Sequence, residues 1–235
     1  MKLAILLVAL WGCPKPFQFQ PRVAELHRVA ILPADVDIVR IVFSGDPEPL
    51  DEEAAIARRE LPRAIAPVLE RHGFTVVPAH LDETDLTEHP DLRYPLTMAQ
   101  KGCVGLANGL RAGKKFNSLG PDVGLLAEHA GADALLCVAF AGADKSAGQI
   151  SRDVAVTVLT LGSLVYPTSL CLLFVALVDG TTGYVHWWGW LQRDTLIYQG
   201  TPLDELADQV FTPMPMRPSA PAPQAETNES AAPTS

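Results

Sequence analysis

Nine consecutive apolar residues, Leu170 to Val178 (LCLLFVALV), run directly into Asp179-Gly180-Thr181-Thr182-Gly183. A second stretch, Asp133 to Phe140 (DALLCVAF), is apolar after its first residue. Short apolar runs bounded by turn residues read as strands. A strand without polar alternation has no face to give to water, so it belongs inside a sheet covered on both sides. Asp179 to Gly183 reads as a hairpin turn, and Tyr184 to Leu191 (YVHWWGWL) as the returning strand. Along that strand Tyr184, His186, Trp188 and Trp190 alternate onto one face, with Val185, Trp187 and Leu191 on the other. Two readings stand. Either both faces are core, or the aromatic set of Tyr184, Trp188 and Trp190 is a surface for a protein partner.

The remaining segments supply the covering layers. Arg28 to Pro33 (RVAILP) reads as a first strand. Asp35 to Pro49 reads as a polar connection with a Gly-Asp-Pro turn. Ala54, Ala57, Leu61, Ile65, Val68 and Leu69 share one helical face between Leu50 and His72. Pro62 and Pro67 predict a break near Leu61, with Pro62 opening a second helix. Gly73 stops it, and Phe74 to Pro78 is a second strand. Ala79 to Pro95 is acidic and irregular, Leu96 to Arg111 and Pro121 to His129 are helical, and Ala141 to Gln149 is a small-residue loop. Leu203 to Phe211 is a closing helix. The expected fold is α/β: a mixed-sheet sandwich with helices on the sheet, a C-terminal β-hairpin and a closing helix. One domain covers residues 28–212, between a tether (13–27) and a Pro/Ala/Ser-rich tail (213–235) whose composition builds no core.

The amino terminus has its own logic. Lys2 is followed by an eight-residue apolar run, Leu3 to Leu10, too short to span a bilayer but suited to a secretory signal. Leu10, Gly12 and Cys13 resemble the lipobox of bacterial lipoproteins, with Trp11 where a small residue is usual. That resemblance implies a signal peptide over residues 1–12 and lipid on Cys13. Each buried methylene contributes about 0.8 kcal/mol, so several acyl chains anchor firmly. Pro14 and Lys15 follow the cysteine. The absence of Asp there implies, by the same resemblance, the outer membrane with the domain facing the periplasm.

Val154 to Val178 is a stretch of 25 residues without a charge. Hydropathy alone would make it a transmembrane helix. Gly162, Ser163 and Pro167 interrupt it, so its first half is expected to pack on the sheet as an apolar helix or strand. A hairpin that inserts into the membrane is the alternative.

Two stretches taken together resemble a known group. They are Gly131-Ala132-Asp133-Ala134-Leu135-Leu136 and Leu177-Val178-Asp179-Gly180-Thr181-Thr182-Gly183 followed by Val185 and Trp187. The pattern resembles bacterial lipoproteins that include the curli-secretion channel lipoprotein, the lipoprotein activators of penicillin-binding proteins, and a related lipoprotein family of unknown function. The amino-terminal domain of the Tol-system β-propeller protein is similar in fold. The resemblance covers most of residues 28–211. It implies a non-enzymatic envelope role, as scaffold or activator of other envelope proteins. Its channel-forming member implies the alternative: an oligomeric export pore that inserts residues 154–178. In either case Asp179, Gly180 and Gly183 form a structural turn that carries no chemistry.

The formal net charge of −9 repels phosphate backbones and argues against nucleic acid as a partner. Envelope proteins, the membrane through lipid, and further copies of the chain are the partners expected. Cys137 and Cys171 sit in apolar runs and read as buried thiols, with a disulfide between them open in an oxidising periplasm; with Cys103 they make three, which cannot all pair. The six histidines lack metal-ligand spacing; His72 and His129 suit helix C-termini. No nucleophile elbow or phosphate loop is written, and Gly102, Gly105 and Gly109 lack the dinucleotide spacing. Asp82, Glu83 and Asp85 read as a solvated loop in preference to a weak calcium site. Neither a metal nor a cofactor is expected.

Overall fold

The computed structural model describes residues 25–42, 47–111, 118–146, 148, 169–194 and 202–214. Cys13, residues 154–168 and the tail from 215 onward lie outside the described residues. The fold is mixed α/β, a sheet with helices on both faces. The strands are β1 (Arg28–Ile31), β2 (Asp35–Ile41), β3 (Pro47–Pro49), β4 (Thr75–Val77), β5 (Ala134–Lys145), β6 (Ser169–Asp179) and β7 (Val185–Arg193). The helices are α1 (Asp51–Arg71), α2 (Asp85–Glu88), α3 (Arg93–Arg111), α4 (Val123–Ala130) and α5 (Leu203–Phe211), with a 3-10 turn at Pro90–Leu92.

β5 is the axis. One edge of it pairs antiparallel with β6 along nearly its whole length, and β7 pairs antiparallel with β6 beyond. Its other edge pairs parallel with β1 and then with β2. β4 lies outside β1, and β3 outside β2. β1 and β2 are thus two lengths of one edge. Ile31 sits opposite Leu136 and Asp35 opposite Ala139, so Leu32-Pro33-Ala34 spans only Cys137 and Val138. That extra residue is a bulge. Pro33 has no N–H to pair, so a bulge is where a sheet accepts it.

β5 and β6 alternate their side chains between two cores. Leu136, Val138, Phe140, Leu173, Val175 and Leu177 meet α1 and α5 on one face. Leu135, Cys137, Phe174, Ala176 and Val178 meet α3 and α4 on the other. Both halves of the apolar pattern are therefore consumed inside the domain.

The structure corrects four expectations. Asp35–Ile41 is a strand, because Val36 and Ile38 alternate into the α1 core while Asp35 and Asp37 stay half-buried on the other face. Helix α1 runs unbroken through Pro62 and Pro67. The two prolines free the carbonyls of Arg58 and Arg63, both on exposed residues, where the lost bond costs least because solvent can reach the carbonyl. Meanwhile Ala57, Leu61, Ile65, Val68 and Leu69 hold the helix to the sheet. Ala141–Lys145 continues β5 instead of looping, since β2 pairs all of it and β6 pairs Ala141–Asp144 on the other edge. Leu26 and Met214 are buried, so the core reaches two residues into the expected tether and two into the expected tail.

The closing helix depends on one glycine. A Cβ on Gly189 would lie 2.7 Å from the Trp187 ring and 2.7 Å from the Val210 carbonyl oxygen. Without it, α5 settles onto β7 and Phe211 stacks on Trp187 at 5.3 Å between ring centres. The ion pair of Arg71 with Asp208 ties the exposed ends of α1 and α5. Gly189→Ala is expected to cost about 1–3 kcal/mol through overpacking. A urea melt followed by tryptophan fluorescence reads this; an unchanged midpoint would contradict the close approach of α5.

Candidate functional site

The two stretches behind the family resemblance touch in space. Helix α4 ends at Gly131, which is left-handed at φ 59° and caps the helix. The Asp133 carboxylate then accepts hydrogen bonds from the N–H groups of His27 and Arg28, at 3.0 and 2.9 Å. Its carbonyl oxygen accepts the Gly180 N–H at 2.9 Å. A Cβ on Gly180 would sit 2.6 Å from the Ala127 Cβ and 2.8 Å from that same oxygen. Gly180 is therefore glycine because helix α4 and the start of β5 press on the turn. Gly183 has φ 69°, and a Cβ there would lie 2.1 Å from the Gly120 carbonyl oxygen.

Asp179 organises the turn. Its Oδ1 accepts from the Thr181 N–H at 2.9 Å, the Thr182 N–H at 2.7 Å and the Thr182 hydroxyl at 2.8 Å. Its Oδ2 lies 3.3 Å from His186 Nε2. A carboxylate only accepts, so His186 donates from Nε2. Burial works to raise the Asp179 pKa. The bonds from Thr182, His186 and Thr181 outweigh it and hold the carboxyl below its ordinary value of 3.8. His186 is buried, and its Nδ1 has no hydrogen-bond partner among the described residues. The imidazole is thus spent on holding Asp179 across the hairpin.

A bulge sits at this histidine. Val178 pairs with Val185, but Leu177 pairs with Trp187, so His186 is the extra residue. The strict alternation expected along β7 fails there. Val185 joins Trp188 and Trp190 in the core beneath α3 and α4, while Trp187 and Leu191 face α1 and α5. Trp188 is 5% exposed and packs on Phe174; Trp190 is partly buried against the same ring. Of the expected partner surface only Tyr184 stays open, at 48% exposure. Leu125 is also exposed, on the helix whose Gly124 abuts the Gly180 carbonyl.

Cys137 and Cys171 are buried thiols, as expected, and only the disulfide left open between them is ruled out. Cys137 lies level with Ala176, whereas Cys171 lies level with Gly142. Five residues of strand separate them, about 17 Å, and they face opposite cores, so no disulfide joins them. The neighbour of Cys137 is Cys103 on α3, whose thiol is within hydrogen-bonding reach. Spacing could not show this, because a helix and a strand deliver the two residues. Burial pushes the Cys171 thiol up to about 11.

The other candidates are structural. Asp82 Oδ1 accepts the N–H groups of Thr84 and Asp85, and Asp85 Oδ2 accepts the Asp82 N–H, so the acidic cluster caps α2. Glu83 pairs with Arg93 at 2.7 Å. His72 caps α1, and His129 donates to the His80 carbonyl from the last turn of α4. Among the described residues no three metal-ligating side chains come together.

No known family model matches the chain, and no curated protein does. Among solved structures it is similar to lipoprotein GNA1162 of Neisseria meningitidis, at 10% identity and a TM-score of 0.35. That likeness covers 80% of this chain and 98% of the other. The class defined by the fold and this junction is a three-layer mixed α/β domain with a clamped terminal hairpin.

A carboxyl with a depressed pKa stabilises the fold above its unfolded value and loses that contribution as pH falls through the folded value. For Asp179 the window therefore opens near 3.8 and extends below it. Asp179→Asn is expected to cost about 1–3 kcal/mol at neutral pH, with a shallower loss of stability on acidification. Parallel urea melts of both proteins from pH 6 down to about 2.5 compare these slopes. Equal slopes would show that Asp179 carries no charge-dependent stability.

Proposed function

We propose that this chain is a lipid-anchored protein of the bacterial envelope whose folded domain binds or helps assemble other envelope proteins. The observation that carries the reading is the order Leu10-Trp11-Gly12-Cys13, in which Leu10 ends the eight-residue apolar run from Leu3. Such a run fits export better than spanning, and a small residue before the cysteine is what lipid transfer requires. The absence of Asp just after the cysteine, where Pro14 and Lys15 stand, supports an anchor in the outer membrane with the domain in the periplasm. No helix among the described residues is long and apolar enough to cross a membrane.

The role is tethering with surface complementarity and without catalysis. Lipid holds the domain near the membrane and raises its effective concentration for partners there. Tyr184 and Leu125, exposed beside the clamped hairpin, are the apolar groups at that end of the domain available for contact. The pore alternative is narrower than its sequence suggests. Cys171–Val178 is paired on both edges within the sheet, so inserting the whole of Val154–Val178 would strip out β6.

The test is intact mass of membrane-extracted protein beside a Cys13→Ser variant. The expected result is loss of residues 1–12 with added acyl mass, absent from the variant. An unmodified chain that keeps Met1 would sink the anchor and the export reading together.

A further inference from the structure

The Cys103–Cys137 contact is the one place where two thiols on different elements meet among the described residues. Helix α3 brings Cys103 down onto the sheet between Ala99 and Leu106, in the same core as Cys137. The meeting point lies beside the Leu32-Pro33-Ala34 bulge. Leu32, Pro33, Ala99, Gln100, Cys103, Cys137 and Val138 line a cleft there with no room for a water molecule. Gln100 closes it by donating from Nε2 to the Pro33 carbonyl at 3.0 Å. Both thiols are 2% exposed or less.

We propose that Cys103 and Cys137 are a disulfide site: they join as the chain folds under oxidising conditions and pin α3 covalently to β5. The proposal rests on the export reading for the compartment that supplies those conditions. Thiols in contact need a further approach to reach the bond length of about 2.05 Å. The bulge leaves Cys137 without regular strand packing on that side, which is where such an adjustment is absorbed.

The chemistry must precede burial. The bond to Cys137, then burial and the nearby Asp35 carboxylate, push the Cys103 thiol well above its ordinary pKa. A thiol that is neither ionised nor reachable does not exchange. In the unfolded chain one thiolate attacks a disulfide of the oxidant, either a dithiol oxidoreductase or a small disulfide such as oxidised glutathione. That bond breaks and one oxidant thiol leaves. The second cysteine thiolate then attacks the mixed disulfide and releases the other oxidant thiol. Two electrons and two protons pass from the cysteines to the oxidant, and the folded core then shields the product.

Two experiments separate this from the anchoring proposal. In the first, membrane-extracted protein is denatured in N-ethylmaleimide without reductant and mapped by mass. Label on Cys171 alone among the three core cysteines is expected, with a Cys103–Cys137 peptide that reductant splits. In the second, reduced and denatured protein refolds in a glutathione redox buffer, which needs no export. The same peptide is expected. The oxidised form should melt about 10 °C above the reduced form. A Cys103→Ala/Cys137→Ala variant should melt at one temperature with or without reductant. Label on all three cysteines in both experiments overturns the proposal, even where Cys13 carries lipid. A Cys137–Cys171 peptide overturns it as well. The cross-link in the refolded protein supports it even where Cys13 is found unmodified.

Discussion

The antiparallel pairing of β5 with β6 is the constraint on which the rest of this structure depends. It joins Ala134–Asp144 to Ser169–Asp179 in continuous register, and both strands are apolar on both faces. A pair like this loses the hydrophobic contribution of a whole face wherever a covering layer is missing. Two layers are therefore obligatory, and the chain provides them in sequence order. Helix α1 and, much later, α5 take one face; α3 and α4 take the other. The parallel pairing of β1 and β2 follows from the same need, because a crossover through a helix is what returns a chain in parallel.

Covering both faces leaves a protein of this kind its ends and its edges for contact with others. At one end the Gly131–Asp133 corner and the Asp179–Gly183 turn lock together through backbone and carboxylate bonds. The glycines there are fixed by collision distances, so the turn has little freedom to change shape. A rigid end of that sort loses little entropy when it docks, which favours binding by preformed surface over folding on contact.

What was legible in the sequence tracks how local each signal is. The long apolar strands, the α1 face and the hairpin turn are written in short windows, and the structure has them. The apolar alternation of Val36 and Ile38 was equally local, but the intervening Asp35 and Asp37 made the segment read as a loop. Prolines at 62 and 67 gave a true local signal for breaking a helix, and tertiary packing of Leu61, Ile65 and Leu69 overrode it. The β7 faces failed for a different reason. A bulge is a property of two strands in register, and one strand read alone gives no warning that His186 will be left out. Of the two readings of the last strand the structure bears out the core for Trp188, while the Cys103–Cys137 meeting was beyond reach because it depends on where a distant helix lands.

Anchoring at Cys13, as proposed, sets a geometric limit on the domain's reach. Twelve residues, and so thirteen Cα–Cα steps, lie between Cys13 and Leu26, the first buried residue among those described. A fully extended chain of that length spans at most about 45 Å. A flexible one averages less than half of that. The domain would therefore work within about its own diameter of the lipid surface. Its contacts would be with proteins embedded in, or held against, the same membrane. The net charge of −9 acts in the same direction at short range. For a domain so anchored it would disfavour flat adsorption onto anionic headgroups, which attract basic surfaces.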